Sequence, residues 1–160
     1  MEVAISGQID ATLVIAEELA GAVIELEGDG LVSIPLGHTD TENTTCLHVP
    51  SIGLVVAGDA VYNDVHVYLA ESNADSRKES IVALDTIESL KPRAVVAGHK
   101  RLGAADTPEN IAETKQYIRD FDRIAADTRT AQELYDQMLA LYSDRVNPGA
   151  LWSSARGVKP

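Results

Sequence analysis

Three times in this chain an apolar run that reads as a buried strand ends in glycine, and a metal-competent side chain follows at once. Leu31-Val-Ser-Ile-Pro-Leu-Gly37 precedes His38, Gly53-Leu-Val-Val-Ala-Gly58 precedes Asp59, and Arg93-Ala-Val-Val-Ala-Gly98 precedes His99. Val, Ile and Leu ahead of the glycine suit a strand covered on both faces. Glycine lets the backbone turn sharply or approach something closely. The next side chain is then presented at the strand's end, where layered α/β folds place their ligands. Each Gly-His or Gly-Asp taken singly is also an ordinary turn. Together, two histidines and an aspartate delivered this way suit a zinc, manganese or iron site.

These motifs resemble the second half of the metallo-β-lactamase superfamily of metal-dependent hydrolases. Gly37-His38-Thr39 is similar to that family's third metal motif, Asp59 to its metal-bridging aspartate, and His99 to its last metal histidine. The intervals of 21 and 40 residues are also typical of the family. The resemblance runs from about Gly7 to Pro160. It implies half of an αββα sandwich, an α/β fold in which a mostly antiparallel sheet carries helices on one face, with residues 1–160 as one domain. It also implies a metal-activated water that attacks an ester, thioester, amide or phosphoester bond. The family's first-half signature, His-x-His-x-Asp-His, does not occur here. The chain's histidines are His38, His48, His66 and His99, and no two lie two residues apart. Each metal would keep one imidazole and a shared carboxylate, fewer than the three protein ligands of an ordinary catalytic zinc. The expectation is a truncated half that holds zinc, manganese or iron weakly or not at all and is a poor catalyst alone. The alternative is a non-catalytic half-fold serving as an oligomerising or interaction module. A half-sandwich leaves one apolar sheet face to cover, so the expected partner is a second copy, in a homodimer, or a missing N-terminal half.

A net charge of −12 argues against nucleic acid, because phosphate binding needs a basic surface. No apolar run has the length of a membrane span and no signal-peptide pattern is present, so a cytoplasmic location is expected. The single cysteine, Cys46, permits no internal disulfide and reads as a buried, inert thiol.

In chain order, residues 1–6 are weakly patterned and residues 12–16 read as a short strand. Residues 22–27 and 31–36 make a hairpin around Gly28-Asp29-Gly30. Residues 44–49 and 53–57 make another strand pair. After Asp59, the segment 60–69 must cross above any site built there. Its Tyr62 and His66 are candidates to touch substrate or support the ligands, with a loop histidine as the commoner fate. A helix capped by Asp75 or Ser76 runs to Leu90, and residues 94–97 form the strand that delivers His99. Lys100, just beyond, could bind an anionic group or pair on the surface. Pro108 sits at the first turn of a helix whose buried side is Ile111, Tyr117, Ile118, Phe121 and Ile124. Thr130 to Glu133 is a capping box opening a helix with Leu134, Met138 and Leu141 inward. Asn147-Pro148 starts a last helix with Leu151 and Trp152. There is no dinucleotide or phosphate-loop fingerprint and no nucleophile elbow.

Overall fold

The computed structural model describes Ile15 and residues 17–159. The strand expected at residues 12–16 and the N-terminal stretch 1–6 therefore lie outside the described residues, apart from Ile15. Among the described residues five strands form one sheet in sequence order: β1 (Val23–Leu26), β2 (Asp29–Gly37), β3 (Thr44–Val49), β4 (Leu54–Asn63) and β5 (Ala94–Lys100). The first four pair antiparallel, as their short connections allow. β5 pairs parallel to β4, because α1 (Ala74–Ser89) carries the chain back across the sheet between them.

One sheet face is covered by α1 and by α2 (Glu109–Asp127), with α3 (Ala131–Leu141) packed on α2 and α4 (Pro148–Val158) packed on α3. Val55, Ala57, Val95 and Ala97 point into this layer and are buried, together with Leu84, Ile87, Ile111 and Phe121 from the helices. Cys46 joins them as a free thiol whose pKa burial pushes up, so it stays protonated and unreactive. Two buried cations tie the helices together. Lys115 on α2 bridges Asp85 and Glu88 on α1 at 2.6 and 2.8 Å, and Arg77 on α1 binds Asp122 on α2 at 2.5 Å. Among the described residues no helix is long and apolar enough to cross a membrane.

Several element ends differ from the sequence reading. β4 continues to Asn63 and β5 to Lys100, so Asp59 and His99 lie within strands that are locally distorted, not beyond their ends. Asn73, not Asp75 or Ser76, caps α1; its side chain accepts from the amides of both. The local run of Asn, Asp and Ser offered three capping side chains, and tertiary packing chose among them. Pro108 is the N-cap of α2, which begins at Glu109, one residue later than expected. Leu141 is half-exposed near the C-terminus of α3, where the buried stripe of Leu134 and Met138 has run out. Trp152 is also partly exposed, its ring edge-on to Tyr135 at 5.4 Å.

α4 packs against the segment between β4 and α1. Ser154 accepts from the Leu69 amide at 2.7 Å, and a Cβ at Gly157 would run into the Ala70 carbonyl oxygen and lie 2.9 Å from its Cα. Gly157→Ala is therefore expected to lower unfolding stability by about 1–3 kcal/mol. Urea titration should show the midpoint fall with unchanged slope. An unchanged midpoint would mean that α4 moves away at no cost.

Candidate metal centre

The site is built where β4 and β5 run side by side. Their register is even at Val55 opposite Val95 and Val56 opposite Val96, then slips. Six residue steps from Val56 to Tyr62 face only three from Val96 to His99. The surplus leaves β4 as a bulge, a device common beside active sites because it re-aims side chains. Gly58 takes the turn with φ +55°, a left-handed conformation that glycine adopts without penalty.

The bulge folds Asp59 over Gly98. A Cβ at Gly98 would collide with the Asp59 carboxylate and sit 2.7 Å from the Gly58 carbonyl carbon and 2.9 Å from the Asp59 amide nitrogen. A bare α-carbon at position 98 is what admits the carboxylate. His99, the next residue, holds Nε2 at 3.5 Å from Asp59 Oδ1, and both side chains are about half exposed, at 54% and 44%. The His99 ring stacks on Tyr62, its register partner, at 5.4 Å between centroids and 24° between planes. Tyr62 is buried, and Thr114 on α2 anchors its backbone by accepting from its amide and donating to its carbonyl. Burial, with the Asp40 and Asp59 carboxylates adding to it, raises the Tyr62 pKa well above its ordinary value, so the phenol stays neutral.

Asp59 and Tyr62 open onto a small cleft shared with Asp40 and Tyr68. Its free space of about 10 Å³ has room for roughly one water molecule. Asp40 reaches it from the loop after β2, which Ser80 on α1 pins by donating to the Thr39 carbonyl at 3.0 Å.

His38 leaves the same loop in another direction. Its Nδ1–H donates to the Thr39 carbonyl at 2.9 Å, and the ring lines an open groove with Glu42, Asn43 and Glu79. The structure thus brings Asp59 and His99 together and places His38 in the neighbouring groove. Among the described residues no three His, Cys, Asp or Glu side chains are arranged to hold a metal ion. His66 is fully buried away from the cleft, with Nδ1 at 3.0 Å from the Tyr117 hydroxyl. Lys100 does not line the cleft; its ammonium binds both oxygens of Asp106 at 2.8 Å. Asp40 was not singled out by sequence, whereas Tyr68 lies on the segment expected to cross above the site. The available signal was that Asp40 follows His38 by two residues, but spacing alone does not say which of them a loop turns inward.

No family model matches the chain, and no curated protein matches it. Solved structures do. A metallo-β-lactamase family protein from Thermus thermophilus superposes with TM-score 0.59 at 23% identity, over 88% of this chain and 46% of that one. A β-lactamase domain protein from Burkholderia ambifaria gives 0.63 at 13% identity, over 92% and 46%. A metallo-β-lactamase from Pontibacter korlensis gives 0.51 at 13% identity, over 64% and 47%. The chain spans about half the length of each of these proteins. With the five-stranded, mostly antiparallel sheet and four helices of its described residues, it has the fold of about half of a metallo-β-lactamase domain.

Proposed function

We propose that this chain carries part of a metal-dependent hydrolase site of the metallo-β-lactamase kind, and that alone it turns over ester, thioester, amide or phosphoester substrates poorly or not at all. The observation that supports this is the Asp59–His99 pair, two metal-competent side chains 3.5 Å apart beside a glycine whose bare α-carbon admits the Asp59 carboxylate. The described donors do not fit a complete centre. Two half-exposed ligands fall short of the three that a catalytic zinc ordinarily takes from protein. That shortfall of ligands among the described residues favours the other reading, a non-catalytic module.

Metal titration separates the two. After stripping with chelator, the chain is expected to bind Zn²⁺ with a dissociation constant no tighter than about 10 μM. Both Asp59→Asn and His99→Ala should abolish that binding, and His99→Ala should change stability by no more than about 0.5 kcal/mol, the range for exposed substitutions. Binding that survives both variants, or none at millimolar Zn²⁺, overturns the hydrolase reading in favour of the module. Nanomolar binding overturns the incomplete site.

A further inference from the structure

We infer that Tyr62 is a positioning residue for the partial metal site: its buried ring sets the orientation of His99, so that the imidazole edge faces Asp59. The inference rests on the reading of that site as metal-binding.

The register explains how the tyrosine comes to be there. Val56 stands opposite Val96, so an unbroken ladder would set Asp59, three residues on, opposite His99. The bulge puts three more residues into β4, and Tyr62 takes that place instead. One irregularity thus has two effects. It frees the Asp59 carboxylate to fold over Gly98, and it sets an aromatic ring against the imidazole of the neighbouring strand.

His99 needs such a support. Its side chain is half exposed, and Asp59 Oδ1 at 3.5 Å lies beyond the usual length of a hydrogen bond. The histidine χ2 torsion is broad, so one distant carboxylate leaves the ring free to turn. A stack removes that freedom. With 24° between planes and 5.4 Å between centroids, the phenol covers one imidazole face and leaves the ring nitrogens at the edge. Nε2 on that edge is the atom that meets Asp59. A cation bound there makes the imidazole electron-poor, and the negative face of the phenol then holds it more tightly.

Tyr62 is itself held. It is 3% exposed, and Thr114 accepts from its amide at 3.1 Å and donates to its carbonyl at 3.0 Å. On one side Val61 is fully buried, and on the other Asn63 donates to the Ala105 carbonyl at 2.8 Å. A ring fixed through its backbone and both neighbours is a rigid backstop, the support that keeps a ligand side chain in one geometry.

The test is made on the chelator-stripped full chain, with the imidazole NMR signals of His99 identified by their loss in His99→Ala. In the wild type these signals are expected upfield of their unfolded positions, because the Tyr62 ring current shields them. Tyr62→Leu should return them to the unfolded positions and weaken Zn²⁺ binding about two- to tenfold, the range for one aromatic stack. Tyr62→Phe keeps the ring and should retain both readouts. Leu134→Ala, in the buried side of α3, should lower stability yet leave the His99 signals and the Zn²⁺ affinity unchanged. If Tyr62→Leu does not fold, as judged by circular dichroism, Thr114→Val carries the test by freeing the Tyr62 backbone, with a smaller shift in the same direction. His99 signals that stay in place when the stack is removed overturn the inference, as does a Zn²⁺ affinity that Leu134→Ala weakens as much as Tyr62→Leu. A wild type that binds no Zn²⁺ overturns the metal reading of the site, and the His99 signals then decide the positioning role alone.

Discussion

Gly98→Ala should lower unfolding stability by about 2–3 kcal/mol and separate Asp59 from His99. The backbone at this position permits alanine; space does not. The new methyl would lie 2.7 Å from the Gly58 carbonyl carbon and 2.9 Å from the Asp59 amide nitrogen, besides striking the Asp59 carboxylate. A flexible side chain can rotate aside, but two of these obstacles are backbone, so the β4 bulge itself has to shift. Forcing one carbon into packed structure costs about 1–3 kcal/mol, and here the loss of the bulge register adds to it. Gly58→Ala is the useful contrast. Nothing lies within 4 Å of its would-be Cβ, and only its φ of +55° disfavours a side chain. That substitution should cost about 1 kcal/mol, the usual penalty for left-handed backbone outside glycine. Urea denaturation ranks the two, and the imidazole NMR signals of His99 report the pairing. A Gly98→Ala protein as stable as the parent, with those signals unmoved, would show that the strands are not held together as tightly as the contacts imply.

The second large effect is acid sensitivity centred on His66. Its ring is fully buried, Nδ1 meets the Tyr117 hydroxyl, and Nε2 has no hydrogen-bond partner among the described residues. Arg145 lies 5.1 Å above the Tyr117 ring and donates to the Val65 carbonyl at 2.8 Å, which sets a fixed positive charge beside the imidazole. Glu113 reaches Arg145 only at 3.9 Å, and Tyr142 contributes a neutral phenol. Burial first, and the guanidinium second, lower the His66 pKa from 6.5 to about 4. The unfolded chain therefore binds this proton near pH 6.5 and the folded chain only near 4. Stability is full above about pH 6.5, falls as pH drops, and levels off below 4. Linkage puts the loss from this one group at about 2 kcal/mol by pH 5 and about 3 kcal/mol at the end. Carboxylates held low by their partners, such as Asp120 and Glu133, lose stability on acidification as well. The measurement is thus the difference between the parent and His66→Gln across pH 7.5 to 4.5. If both lose the same stability over that range, the imidazole is not the source.

Much of the fold was legible because it depends on local patterns. The Val- and Ile-rich runs ending at Gly37, Gly58 and Gly98 became β2, β4 and β5, and the stripe from Ile111 to Ile124 became the buried side of α2. Thr130 and Glu133 form the expected capping box. What stayed hidden depends on pairing between distant segments. The bulge that extends β4 past Asp59 exists only against β5, about forty residues later. His66 reads as a loop residue because its partner Tyr117 is 51 residues away. His38 and Asp40 share one polar loop, and a single turn of backbone decides that Asp40 faces the cleft while His38 faces the groove with Glu42 and Glu79.

The parallel alignment of β4 and β5 also has a consequence in time. In the antiparallel part of the sheet each strand finds its partner across a short connection, so β1 through β4 can zip up soon after they leave the ribosome. Asp59 is by then on a finished strand with an unfinished neighbour. His99 arrives only after α1 has been made and has closed a loop of some forty residues, a slower event that pays its chain entropy before any contact rewards it. The two side chains meet at the same end of the sheet because of that crossover, and their pairing comes after the antiparallel ladders but ahead of the still longer closures that bring Thr114 to Tyr62 and Ser154 to Leu69.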